Sequence, residues 1–153
     1  MTAAPLPDWV MPPPEGFTAE DLDRLADLPP HTELIDGSLV FVSPQASFHS
    51  VIHAGADIPP ESTALHASDV MLAVEVVAPD SEERDRERKP ELYAKAGLPH
   101  FWRVENCSGR PTVYVYELDP ATHAYALTGI HHDRLKVTVP FDIEIDLTEI
   151  DRL

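Results

Sequence analysis

A single carboxylate interrupts the most apolar run of the chain: Val70, Met71, Leu72, Ala73, Val74, Val76 and Val77 surround Glu75. So many β-branched residues in sequence read as a strand covered on both faces. An ionised carboxylate inside such a strand is costly unless it is paired, hydrogen-bonded or bound to a metal ion. Glu75 is therefore a strand-end acid at the sheet's rim, an acid paired with a nearby arginine, or the acid of a functional site. Lys89 stands at the start of the next helical pattern, where the chain can fold back over the C-terminal end of the strand, the usual place for sites in α/β sheets. A lysine there could hold a water or a developing phosphate charge while Glu75 held a metal ion. The plainer reading is a solvated lysine in a charged loop.

Other polar groups carry weaker chemistry. Asp80, Glu82, Glu83, Asp85 and Glu87 alternate with Arg84, Arg86 and Arg88, a run that reads as a solvated face with weak pairs such as Asp85 with Lys89. His49 and His53 have a metal-binding spacing only on a helix, and no zincin pattern surrounds them. His131-His132 reads as a turn pair, and Cys107, the one cysteine, sits in Asn106-Cys107-Ser108-Gly109 with no partner base. There is no nucleophile elbow, phosphate-cradling glycine loop or dinucleotide fingerprint, which sets aside triad hydrolases, kinases and dehydrogenases.

Several elements must position these groups. Thr18 before Ala19, Glu20 and Asp21, with Leu22, Leu25 and Leu28, predicts an N-capped amphipathic helix ended by Pro29-Pro30. Glu33-Leu34-Ile35 and Ser38–Val42 flank Asp36-Gly37, which predicts a hairpin with a type I′ turn. The Glu75 strand, Asp69–Ala78, leads through the charged loop to a helix opened by Pro90 and stopped by Gly97. His100–Glu105 is the next strand, and this strand–helix–strand order implies a right-handed crossover between parallel strands. Thr112–Leu118, Ala124–Ile130 and Leu135–Val139 read as further strands, and Phe141, Ile143, Ile145 and Leu147 alternate with acids as a half-buried last strand. The fold class is α/β (α+β), with a mixed sheet in which strand content dominates.

At 153 residues the chain is expected to form a Pro-rich arm, 1–17, and a single domain, 18–153. The formal net charge is −16 from 11 basic and 27 acidic residues, which repels nucleic-acid phosphates at long range and excludes a non-specific coat protein. One cysteine permits no intrachain disulfide, and no stretch approaches the length of a membrane span. The N-terminus lacks the pattern of a signal peptide, so a cytoplasmic location is the expectation.

Glu33-Leu34-Ile35-Asp36-Gly37, Ser43-Pro44 with His49 beyond, Glu75-Val76-Val77-Ala78-Pro79, Arg84-Asp85, Lys89, Tyr93, Gly97 and His100-Phe101-Trp102 together resemble the Uma-two-type restriction endonuclease family. That resemblance implies the PD-(D/E)XK nuclease fold, a restriction-endonuclease-like mixed sheet flanked by helices. It also implies Mg²⁺ or Mn²⁺ as cofactor and DNA as substrate. Residue by residue, it makes Glu75 the central acid and metal ligand, Lys89 the lysine displaced into the following helix, and Glu33 an acid facing the same cleft. His49 matches a polar position beside them, and Asp85 and Tyr93 match supporting positions.

One departure stands out. The family's helix and Pro-Asp strand between the His49 region and the Asp69 strand are missing, so the domain reads as internally shortened. Asp57, after Gly55-Ala56, does not replace that aspartate. Losing it removes a hard oxygen ligand. Two functions follow: a metal-dependent DNA endonuclease, or a catalytically degenerate nuclease fold acting as a protein-binding or homodimeric accessory module.

Overall fold

A computed structural model describes residues 11–29, 32–41, 66–79 and 81–150, and the backbone of 49–53. Residues 1–10, Ser43-Pro44, Asp57 and the rest of 54–65 lie outside the described residues. The chain groups into two compact units, 1–47 and 48–153.

In the N-terminal unit, α1 (Ala19–Arg24) starts where expected. Asp21 accepts from the Thr18 N–H at 2.8 Å and the Thr18 hydroxyl at 2.9 Å, closing the first turn onto its cap. The helix stops short of Leu28, because the chain turns at Asp27 (φ 59°) ahead of Pro29. Strands β1 (Thr32–Ile35) and β2 (Ser38–Phe41) pair antiparallel, and Asp36 (φ 51°) and Gly37 (φ 74°) make the left-handed pair of the expected turn. The stretch before α1 packs on this hairpin: Phe17 is buried and its N–H donates to the Gly37 carbonyl at 2.7 Å.

The second unit is built on a five-stranded mixed sheet: β3 (His49–His53), β4 (Val70–Val76), β5 (His100–Cys107), β6 (Arg110–Asp119) and β7 (Ala124–His131), in that order. Only β4 and β5 are parallel, joined by the predicted helical crossover; their neighbours are antiparallel. Strands β8 (Arg134–Val137) and β9 (Ile143–Asp146) form a separate ribbon shorter than the alternation suggests, with Ile145 exposed.

The sheet has two unlike faces. One carries Leu72, Trp102, Val113 and Val115 against Leu135 and Leu147, an aliphatic core. The other carries Ala73 and Phe101 against Leu98, Tyr93, Tyr116 and Tyr125. Helix α2 (Lys89–Lys95) covers this second face and buries its own Ala94 there.

The charged run is not a loop. Residues 82–83 are already helical and Arg84–Arg88 form a wide π-type turn leading straight into α2, the Lys89 N–H donating to the Arg84 carbonyl. Pro90 accounts for the widening: it has no N–H for the carbonyl four residues back and its ring crowds that group, so the preceding turn opens. This turn carries Asp85, and Lys89 four residues on, inward.

Candidate active site

Glu75 is the penultimate residue of β4 and lies on the face covered by α2, with only 3% of its surface exposed. Four partners surround it and each other. The Lys89 ammonium stands 3.2 Å from Glu75 Oε2 and 3.0 Å from Asp85 Oδ1, so it bridges two buried carboxylates. The Tyr93 hydroxyl donates to Glu75 Oε1, and the Ser81 hydroxyl donates to Asp85 Oδ2. Asp85, Lys89 and Tyr93 are spaced four apart, so one helical face delivers all three to the strand. Asp85 is 1% exposed and Lys89 8%, which makes the ammonium the countercharge that permits both carboxylates to stay inside.

A second charged group adjoins the first. Arg103 on β5 is the register partner of Glu75, and Glu105 follows two residues later on the same face. Glu105 accepts from Arg86 Nε at 3.1 Å and Nη2 at 2.7 Å, and lies 2.6 Å from Arg103 Nε. Burial pushes the Glu105 carboxyl up, but the Arg86 and Arg103 guanidiniums outweigh it and hold the group below the usual carboxylate range. In turn the Glu105 hydrogen bond raises Arg86 further above neutrality. Arg103 lies over the rings of Tyr114 and Tyr116, at 4.8 and 5.5 Å from their centroids.

The structure thus brings together Glu75, Lys89, Asp85 and Tyr93 of the residues picked out from sequence. Asp85 is not part of a solvated face, and Lys89 is not a solvated lysine. His49 is the backbone partner of Glu75 across β3 and β4, which places its position beside the acid. Glu33 stands on β1 in the N-terminal unit, opposite Val40, and its place at this centre is an expectation from the resemblance alone. Sequence reasoning missed Ser81, Arg86, Arg103 and Glu105. The signal for the last two was present: in Phe101-Trp102-Arg103-Val104-Glu105 the period of two puts both charges on the Phe101 face.

Glu75 and Asp85 are hard oxygen donors converging on one cationic atom, and Mg²⁺ is commonly held by one or two carboxylates with phosphate and water completing its shell. The pair fits such an ion in chemical type. No third His, Cys, Asp or Glu joins them among the described residues.

Comparison with known proteins gives one finding. A family model described as "Uma2: Putative restriction endonuclease" matches residues 55–148, more than half of the chain. A search of curated proteins returns no match. The matched segment contains β4, the wide turn, α2 and β5, the elements that assemble the Glu75 cluster. The chain accordingly belongs to the Uma2 family, within the PD-(D/E)XK-like nuclease superfamily.

Proposed function

We propose that the chain is a metal-dependent endonuclease that hydrolyses phosphodiester bonds in DNA at the Glu75–Lys89 pair. The observation that carries this reading is the placement of that pair: an acid at the C-terminal end of an interior strand with an ammonium 3.2 Å away, presented by the following helix. Family membership supplies the reaction class.

The chain's own residues divide the work. Tyr93 and Lys89 each take one oxygen of Glu75 and so fix the orientation of its carboxylate. Ser81 holds Asp85, and Asp85 holds Lys89, so the ammonium is positioned from two sides. A lysine ammonium is a compact point charge suited to the developing charge on a phosphate oxygen or to orienting a water. Glu75, with Asp85 beside it, would hold Mg²⁺ or Mn²⁺, whose chemistry when bound is neutralisation of phosphate charge and a lowered water pKa. The position of His49, the register partner of Glu75 on β3, adjoins the proposed centre.

A second reading is favoured by the near-complete burial of Glu75 and Asp85, at 3% and 1%. A closed ion network can serve the fold alone, leaving a degenerate nuclease scaffold that acts by binding a protein partner or a second copy of itself. Incubation with supercoiled plasmid and with single-stranded DNA, in Mg²⁺, Mn²⁺ or EDTA, separates the two. The first reading expects nicking that needs the ion and is lost in Glu75→Ala and Lys89→Ala. Folded protein that leaves both substrates intact under every ion overturns it in favour of the second.

A further inference from the structure

A cleft of about 550 Å³ opens between α2 and the β5–β7 part of the sheet, within the size range of small-molecule sites. Its floor is aromatic: Phe101, Tyr116 and Tyr125 cluster with ring centroids 5.5 to 6.4 Å apart. Phe101 is fully buried beneath, whereas Tyr116 and Tyr125 are half-buried and line the cleft, with the Arg103 guanidinium over the Tyr116 ring. Arg86, Arg103 and Lys95 line the walls against the acids Glu91 and Glu105. Glu105 engages Arg86 at two nitrogens, but the terminal nitrogens of Arg103 make no hydrogen bond among the described residues, and Lys95 is exposed. Arg86 also pairs with Glu82, so on this chain of net charge −16 Arg103 and Lys95 are the cations left beside the stacked rings.

Rings offering a π-face next to guanidinium and ammonium groups recognise a planar heteroaromatic that carries a phosphate. We infer that this cleft is a binding site for one unpaired nucleotide, with its base against Tyr116 and Tyr125 and its phosphate facing Arg103 and Lys95. The site is distinct from the Glu75 cluster: none of Glu75, Asp85 or Lys89 lines it. It deepens the endonuclease reading, on which it rests for the choice of a nucleotide over other planar anions. It gives an acidic protein a local hold on a strand that the overall charge repels.

Calorimetric titration of the full chain in EDTA, where no cutting interferes, tests this with hexathymidylate, thymidine monophosphate, thymidine and inorganic phosphate. Hexathymidylate and the monophosphate should bind, and thymidine and phosphate should each bind at least tenfold more weakly than the monophosphate. Lys95→Glu, at an exposed position, and Tyr116→Leu should each weaken binding at least about fivefold. Equal affinity for the monophosphate and hexamer identifies a free nucleotide as the ligand; a tighter hexamer identifies a strand. No binding by folded protein, binding untouched by Lys95→Glu, or phosphate binding as well as the monophosphate overturns the proposal. A chain that binds the hexamer yet cuts no DNA upholds the cleft and refutes the endonuclease. One that cuts DNA but binds no hexamer does the reverse.

Discussion

At the scale of single residues, the decisive group is Lys89, because its one positive charge offsets two carboxylates that are almost wholly out of water. Removing one partner of a buried ion network leaves uncompensated charge, which costs about 3–5 kcal/mol. Lys89→Ala should therefore lower the unfolding free energy by about that amount in a urea titration, and Mg²⁺ added to the variant should restore part of the loss by filling the vacated charge site. Glu105 acts differently. Its carboxyl titrates below the ordinary range, so its stabilisation is present above the unfolded-state pKa and disappears as pH falls through the depressed folded value. Glu105→Gln should cost about 1–3 kcal/mol at pH 7 and have a smaller effect at acid pH, once Glu105 is protonated in the folded protein, as melting across the acid range would show.

At the scale of elements, each part of the site was legible to the extent that its signal was local. The hairpin followed from Asp36-Gly37, which takes the two positive φ angles that few other pairs adopt without strain. Strand β4 followed from its apolar run and Glu75 from being the exception within it. The wide turn was illegible, because alternating charges carry no apolar period and the acid that turns inward, Asp85, looks like its neighbours in sequence. Arg103 and Glu105 depend on which strand lies beside which, and that is a matter of topology. Two glycines let backbone geometry be tested separately from packing. A Cβ on Gly16 would lie 2.9 Å from the Gly37 carbonyl oxygen, whereas one on Gly97 meets nothing within 4 Å, and both residues have positive φ. Gly97→Ala should cost about 1–2 kcal/mol from φ alone. Gly16→Ala should cost more, through loss of the Phe17 contact to the hairpin, and hydrogen exchange at the Phe17 amide would report it.

At the scale of the whole molecule, charge and site chemistry pull in opposite directions. A net charge of −16 disfavours approach to DNA, so the endonuclease reading requires binding by a few localised cations. The logarithm of the DNA-binding constant should then fall with the logarithm of salt concentration with a slope of about −1 to −2, since each phosphate neutralised contributes about −0.7 for a single strand and −0.9 for duplex. A slope several times steeper, measured by fluorescence anisotropy, would mean that a broad basic surface is at work. No helix among the described residues is long and apolar enough to cross a membrane. The Glu75 cluster faces α2 and lies within residues 55–148, the segment that the family model matches. The most direct measurement is the plasmid-nicking rate of Glu75→Gln against the unmodified chain in Mg²⁺, with thermal melts of both. Glutamine keeps the shape and a hydrogen-bond acceptor for Tyr93 but removes the charge. The endonuclease reading predicts a folded variant whose nicking is slower by about 100-fold or more. A folded Glu75→Gln protein that nicks plasmid as fast as the unmodified chain would contradict it.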